Sequence, residues 1–340
     1  MEFRMPEYKV DYEVNKQDVY PLLSDGMRKV IDYQAAHAAD AFDTNCTWDE
    51  LRKKYVEERR YWNEGGPEAY KTVEATVEGP IGDVPVRIYY PDDKPQHHAV
   101  VFIHGGGFTV GNNDTHDRMM RNIMHYSGCA VIGVDYHLAP EAKFPIPLYE
   151  SAAVVRFFHE HGAEYGILPD HMSMAGDSGG ANLALGTNLY LRDVFGGNEY
   201  ICALLLYYGG YGMTDGRTYR LYGTILDGMR KNDLDYYIKC YLTDDMKDMD
   251  NPYFVTLNND LTHGIPSTYL AVGGLDPLLD DSRLLNEILS NHGVRTELEV
   301  MPGCLHAFAH YSRMMEEAEH CLKRGSEFLR EEFAKDGIKD

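Results

Sequence analysis

Between a short apolar run and a helix-forming one, the chain places Gly176-Asp177-Ser178-Gly179-Gly180, a G-x-S-x-G pentapeptide. A serine hydroxyl is a weak nucleophile until a neighbouring base takes its proton, and that base needs an acid to hold it in the useful orientation. Upstream, Met172-Ser173-Met174-Ala175 has the alternation of a buried strand; downstream, Ala181-Asn182-Leu183-Ala184-Leu185 opens a run of helix formers. Ser178 is therefore expected on a tight strand-to-helix turn, at a helix N-terminus whose free N–H groups favour developing negative charge. Glycines at 176 and 179 are expected to make room for that turn.

Five histidines follow the serine: His263, His292, His306, His310 and His320. His310 and His320 fall inside a last expected helix over residues 309–333, His292 ends a surface helix beside Gly293, and His263 lies in an irregular stretch. Only His306 sits in the loop between a last strand and a last helix. Asp276 comes directly after the strand expected over 268–272 and two glycines, and Pro277 fixes the chain behind it. Asp280 and Asp281 read as helix-start carboxylates, favourable to the dipole. A turn carboxylate or a loop histidine accounts for any one of these residues alone. Ser178, Asp276 and His306 at three successive strand ends, in that order, form a candidate catalytic triad.

The elements that must position them alternate. Residues 1 to about 70 read as helical, with Thr47-x-x-Glu50 as a capping box and Trp48, Leu51, Tyr55 and Trp62 on one face. Strands are expected over 73–77 and 84–90 around the turn residues Gly79-Pro80-Ile81-Gly82. Buried strands are expected over 99–103 and 130–134, followed by a helix over 151–161. Further strands fall at 202–208, 268–272 and 296–301, with a helix over 280–291. This pattern predicts an α/β fold, a doubly wound and mostly parallel sheet. Residues 209–263 are aromatic, glycine-rich and acidic, and too long for a plain connection. Leaving from a strand's carboxyl end, on the side where open sheets bind ligands, they read as a cap. The expected organisation is a catalytic domain of residues 70–208 and 264–340, with a cap region of residues 1–69 and 209–263.

Composition narrows the partners. With 32 Lys+Arg against 54 Asp+Glu the formal charge is −22, which repels nucleic acid and anionic membrane surfaces. The longest apolar run, residues 201–208, is too short to span a bilayer, and the opening residues Met1-Glu2-Phe3-Arg4-Met5-Pro6-Glu7 lack a basic-then-apolar pattern. A cytoplasmic location is expected. Cysteines 46, 129, 202, 240, 304 and 321 are scattered without a C-x-x-C pair, so reduced thiols are expected rather than a disulfide or zinc framework. No G-x-G-x-x-G, P-loop or H-E-x-x-H occurs, and neither a cofactor nor a metal is expected.

Together, His104-Gly105-Gly106-Gly107, Gly176-Asp177-Ser178-Gly179-Gly180, Asp276-Pro277-Leu278-Leu279-Asp280 and His306-Ala307-Phe308 resemble the motifs of the hormone-sensitive-lipase branch of the α/β-hydrolases, over residues 97–310. Asp135-Tyr136-His137-Leu138-Ala139-Pro140-Glu141 and Phe144-Pro145 add to the resemblance. It implies the α/β-hydrolase fold with a helical cap, the triad Ser178, Asp276 and His306, and an oxyanion hole made by the backbone N–H groups of Gly106, Gly107 and Gly179. The chain departs from the family pattern in Gly179 and Gly180 of the elbow, in His137 for an arginine, and in Ala307 for a glycine; none removes a catalytic atom. Chymotrypsin-like proteases also surround their serine with Gly-Asp-Ser-Gly-Gly, but an alanine-leucine helix follows here. Plant gibberellin receptors share the fold and lack the catalytic histidine, which leaves a small-ligand-binding homologue as the alternative; His306 argues against it.

The expected activity is that of a serine carboxylesterase acting on small, short-acyl esters through an acyl-enzyme, with acetylated sugars as one candidate class. A homo-oligomer is compatible with the sequence. Among 26 tyrosines, Tyr208 and Tyr211 are expected in the substrate pocket, with Tyr219, Tyr222 and Tyr237 of the cap. Cys304, two residues before His306, is expected to make the protein sensitive to bulky thiol reagents if its loop is accessible.

Overall fold

Continuous apolar runs in mid-chain demand cover on both faces, and the sheet supplies it. The structure, a computed structural model, describes residues 4–7 and 9–336. Met1-Glu2-Phe3, part of the opening stretch read above, and the ends of the expected cap and catalytic stretches at 1–3 and 337–340 lie outside the described residues. Two N-terminal helices, α1 (Asp25–His37) and α2 (Trp48–Asn63), precede the strands β1 (Lys71–Glu78), β2 (Asp83–Tyr90) and β3 (His97–Ile103). The alternating part follows as α3 (Asp117–Ser127), β4 (Ala130–Val134), α4 (Ile146–His161), β5 (Ile167–Asp177), α5 (Gly179–Phe195) and β6 (Ile201–Tyr207). The insertion carries α6 (Arg217–Leu221) and α7 (Lys231–Tyr241), and the chain closes with β7 (Ser267–Gly273), α8 (Leu279–Asn291), β8 (Thr296–Met301) and α9 (Glu316–Phe333).

The eight strands form one sheet in the order β1-β2-β4-β3-β5-β6-β7-β8. β1 and β2 join antiparallel, and every pairing from β4 to β8 across the sheet is parallel. The order has a mechanical consequence. From β3 the chain crosses to β4 on one side, and from β5 it crosses to β6 on the other, so the adjacent carboxyl ends of β3 and β5 are the switch point where such sheets open a crevice. Period-two alternation divides the strands' side chains between two cores. Val100 and Phe102 pack with α1, α3 and α9 on one face; Ala99, Val101 and Ile103 pack with α4, α5 and α8 on the other.

The expected fold class is borne out, with three differences of extent in the helices. Among the described residues up to 70, α-helix covers 25–37 and 48–63, with a 3-10 turn at Tyr20–Leu22, and Trp48, at the first helical position, is 43% exposed while Leu51, Tyr55 and Trp62 are buried. α4 begins at Ile146 rather than 151, because Pro147 occupies the first turn, where a missing N–H costs nothing. The last helix begins at Glu316, so His310 belongs to a separate 3-10 turn, Phe308–Tyr311. Thr47 and Glu50 do form the capping box, the Glu50 N–H reaching Thr47 Oγ1 and the Thr47 N–H reaching Glu50 Oε2.

Both N-terminal helices and the insertion cover the carboxyl end of the sheet and are tied to each other. Thr44 Oγ1 donates to Asp233 Oδ1 (2.8 Å), the Gln17 N–H donates to Leu221 O (2.9 Å), and Leu51 and Tyr55 pack with Tyr236 and Tyr237. The insertion is tied to the body by α8. Asp281 Oδ1 accepts the N–H groups of Tyr211 (2.7 Å), Gly212 and Met213 (both 3.1 Å), and Asp280 Oδ2 accepts that of Thr218 (2.9 Å). These carboxylates therefore do more than open a helix. Removing the Asp281 carboxylate strands buried donors, each costing about 1–3 kcal/mol. Asp281→Ala should accordingly lower stability by about 3 kcal/mol or more, and Asp281→Asn, which keeps an acceptor oxygen, by less than half of that; equal denaturant midpoints for the two variants would contradict this anchoring.

Candidate active site

Ser178 occupies the turn between β5 and α5 with φ 51° and ψ −121°, a conformation non-glycine residues rarely take. Its neighbours must be glycine, though not the pair expected. A Cβ on Gly176 would lie 2.3 Å from Gly180 O, and one on Gly180 would lie 2.0 Å from Ile103 O. On Gly179 it would meet only the Phe108 ring and N–H at 3.3–3.4 Å. Gly176 and Gly180 are thus the steric requirement, because α5 enters directly against β3.

The three predicted triad residues are brought together. Ser178 Oγ is 2.8 Å from His306 Nε2, and His306 Nδ1 is 2.8 Å from Asp276 Oδ2. An ionised carboxylate can only accept, so Nδ1 carries the proton and Nε2 offers its lone pair to the serine hydroxyl. Asp276 is completely buried and also accepts the Leu278 N–H at 2.8 Å. Burial pushes the His306 pKa down, but the charge and hydrogen bond of Asp276, with smaller help from Asp227 and Asp177, outweigh it and leave the pKa raised.

After β3 the chain turns through Gly106 (φ 109°), Gly107 (φ 56°) and Phe108 (φ 63°). Among the described residues none accepts a hydrogen bond from the N–H of Gly106, Gly107 or Gly179, and all three residues line the same cavity as Ser178 and His306. The glycines are needed by close packing: a Cβ on Gly106 would strike Val110 O at 2.2 Å, and one on Gly107 would strike the Tyr237 ring at 2.5 Å.

That cavity measures about 170 Å³ and lies between the strand ends, α1, α2 and the insertion. It is of the size that holds a single aromatic ring, since a cavity of ~150 Å³ takes up benzene. Tyr219 and Tyr237 line it, as expected. Tyr208, Tyr211 and Tyr222 do not. Tyr208, with a positive φ (40°), packs its ring against that of His306 at 5.1 Å, and Tyr211 is drawn into the core by the bond from its N–H to Asp281. Gly210 and Gly212 border the cavity in their place.

Two charged side chains in the wall were not legible from sequence. Arg59 of α2, 2% exposed, lies over the rings of Tyr55, Phe42 and Tyr311 and faces Glu58 Oε2 at 3.2 Å. Asp227, in the loop before α7, accepts from the Thr224 N–H, and burial pushes its carboxyl up to about 6. The only sequence sign for either was its membership of the cap stretches. His116, Asp177 and His310 form a buried group beside the cavity, the one cluster among the described residues with donor atoms spaced as for a metal ion.

Cys304 is completely buried, and burial pushes its thiol up to about 12, so the condition for reagent sensitivity is not met. Folded protein should leave Cys304 unlabelled by a bulky maleimide, whereas rapid labelling with loss of turnover would show an open loop. Ala307 adopts φ 61°, a left-handed position where a Cβ costs about 1–2 kcal/mol. Ala307→Gly should therefore be neutral or stabilising by about 1 kcal/mol in denaturant unfolding; a clear loss of stability would mean the position is unstrained.

Comparisons with known proteins give the family of the chain. The α/β-hydrolase fold family model matches residues 100–310. The acetyl esterase of Salmonella paratyphi A is 42% identical over 315 residues, covering 93% of this chain and 96% of that protein, and the acetyl esterase of Salmonella typhi matches equally. Among solved structures, a hyperthermophilic esterase from the archaeon Pyrobaculum calidifontis superimposes with TM-score 0.84 at 25% identity, over 91% of this chain and 98% of that one. An ester hydrolase from the metagenome of Lake Arreo shares the fold with TM-score 0.86 at 24% identity, over 92% and 100% of the two chains. With this family match and these relatives, the chain belongs to the α/β-hydrolase fold family, in the hormone-sensitive-lipase-like branch its motifs resemble, and is a carboxylic ester hydrolase.

Proposed function

We propose that the protein hydrolyses small esters of short acyl chains through an acyl-enzyme formed on Ser178. The observation that carries this is the hydrogen-bonded line from Ser178 Oγ through His306 to Asp276, opening into a cavity of about 170 Å³. Ser178 Oγ attacks the ester carbonyl carbon while its proton passes to His306 Nε2, and Asp276 steadies the imidazolium. The carbonyl oxygen, now negative, is met by the N–H groups of Gly106, Gly107 and Gly179. As the C–O bond to the alcohol breaks, His306 returns the proton to the leaving oxygen. Water then attacks the acyl carbonyl with His306 again as base, and Ser178 is released with the carboxylic acid.

A short acyl chain suits the volume, and the Salmonella relatives named acetyl esterases support it. The polar groups in the wall, Arg59, Asp227 and the rings of Tyr219 and Tyr237, favour a compact, oxygen-rich alcohol over a lipid tail, and acetylated sugars are such a class. The working partner is then a small ester rather than nucleic acid, which the acidic chain would repel. No helix among the described residues is long and apolar enough to cross a membrane, and the six free cysteines suit a reducing cytoplasm.

On nitrophenyl esters from acetyl to decanoyl, kcat/KM should peak at acetyl to butyryl and fall steeply by octanoyl; a maximum at octanoyl or beyond would refute the short-acyl reading. Ser178→Ala should abolish turnover in a folded protein, and Asp276→Asn should cost about 10⁴-fold in kcat by favouring the wrong tautomer. Damage from Asp280→Asn with a harmless Asp276→Asn would mean a different acid. Because His306 acts unprotonated and its pKa is raised above the ordinary 6.5, kcat/KM should fall as pH drops through an apparent pKa higher than 6.5. A profile flat down to pH 5 would rule out His306 as the base.

A further inference from the structure

We infer that Asp177, the residue before the nucleophile, is a positioning residue that holds the oxyanion loop and the His306 loop in register with Ser178, through Gly105, His116 and His310. The carboxylate is almost wholly buried and three elements converge on it. The Gly105 N–H donates to Oδ1 at 2.7 Å, His310 Nε2 lies 3.2 Å from Oδ2, and His116 Nε2 lies 3.2 Å from Oδ1. Each partner belongs to a different part of the site. Gly105 is the residue before Gly106 and Gly107, His310 lies on the 3-10 turn that follows His306, and His116 opens α3. The elbow, the oxyanion donors and the general base therefore meet at one carboxylate.

Electrostatics fits hydrogen bonding. Burial pushes the Asp177 pKa up, but the two histidines outweigh it and hold the carboxyl well below its ordinary range. Burial pushes His310 down to about 3, with Arg59 and His116 acting in the same direction, and burial likewise pushes His104 down to about 3. A neutral His310 turning its Nε2–H to the ionised carboxylate satisfies both of those groups. A metal ion would compete with the Gly105 N–H for Oδ1 and would sit near the Arg59 guanidinium. The rings of His116 and His310 pack edge to face at 4.5 Å, and His104 lies 5.4 Å from His116, so the node is dense as well as bonded. Donors displaced by as little as an ångström cost catalysis about 10²-fold, which gives the node its leverage.

The inference rests on the proposed acyl-enzyme chemistry, and the test separates the two. Wild type, Asp177→Asn, His310→Ala, His310→Gln and Ser178→Ala are compared on p-nitrophenyl acetate, with the sites counted by stoichiometric phosphonylation. Failure of wild type to be phosphonylated on Ser178 would refute the chemistry itself. Given that chemistry, Asp177→Asn is expected to lower kcat per titrated site about 10²-fold with KM changed only a few-fold. Its acid limb should also move to lower pH, because one of the charges that raise His306 is gone while Asp276 and Asp227 remain. His310→Gln, which keeps an N–H donor, should recover much of the kcat that His310→Ala loses, and this pair decides the matter where Asp177→Asn does not fold. A lower melting temperature with wild-type kcat per site and an unmoved pH profile would overturn the inference. So would stoichiometric binding of Co²⁺ or Zn²⁺ by wild type that is lost in His310→Ala, since the cluster would then be a metal site.

Discussion

The close approach of α5 to β3 is the constraint from which the site follows. With Gly180 against Ile103 O and Gly176 against Gly180 O, the chain can leave β5 only by a turn that holds Ser178 at φ 51°. A non-glycine residue there costs on the order of 1–3 kcal/mol, and surrounding structure must impose it. The imposing structure is the parallel sheet: the Ser178 N–H is held by Tyr207 O of β6, and β3 and β6 clamp β5 from either side. The strain thus has two uses. It lifts Oγ clear of the backbone, and it leaves the first N–H of α5 directed beside it, where charge develops during acyl transfer.

Sheet order then decides which loops can reach that serine. Because the crossings reverse between β3 and β5, their adjacent carboxyl ends have no helix across them, and the loop after β3 is free to fold over the elbow. β7 and β8 lie farther along on the same side, with Asp276 after β7 and His306 after β8. The acid arrives short and buried, held by the Leu278 N–H; the histidine must come back across β7. Tyr208 packs against it, the two rings edge to face at 5.1 Å, and also meets Phe308 edge to face at 5.5 Å. A residue expected to line the pocket instead packs against His306.

What could be read from the sequence was local. Apolar runs and glycine-marked turns gave the strands to within two residues, β8 among them without any difference, except that β5 begins at Ile167, well before the alternating run at Met172; the chain order of serine, acid and histidine needed only element ends. What escaped depended on contacts between distant segments. Nothing near Asp227 or Arg59 says that each ends in the same cavity. His310 looked helical because its neighbours favour helix, but it lies on a 3-10 turn that ends before the last helix begins at Glu316. The glycine that mattered at the elbow was 180 and not 179, because the decisive atom, Ile103 O, is more than seventy residues away in the chain. Tyr211 had the composition of a pocket wall, but the carboxylate that draws its backbone inward sits on α8.

The pair Glu58 and Arg59 shows how the covering helices are made specific for this site. Both are almost wholly buried, and Glu58 Oε1 also takes the Trp62 Nε1–H at 2.6 Å and the Gln34 amide at 2.7 Å. As a source of stability such a pair is poor, since desolvating two charges offsets most of their attraction and an apolar pair could serve as well. Its effect is directional. Gln34 and Arg59 both reach the Tyr311 hydroxyl, at 3.1 and 3.3 Å, so α1 and α2 are bonded to the turn that follows His306. A greasy interface would let α2 slide along that turn at little cost, whereas shifting these bonds by one residue would strand a buried charge. The roof of the cavity and the loop that carries His306 are thereby fixed in one frame, and the space beside Ser178 is set by the same contacts that hold the histidine.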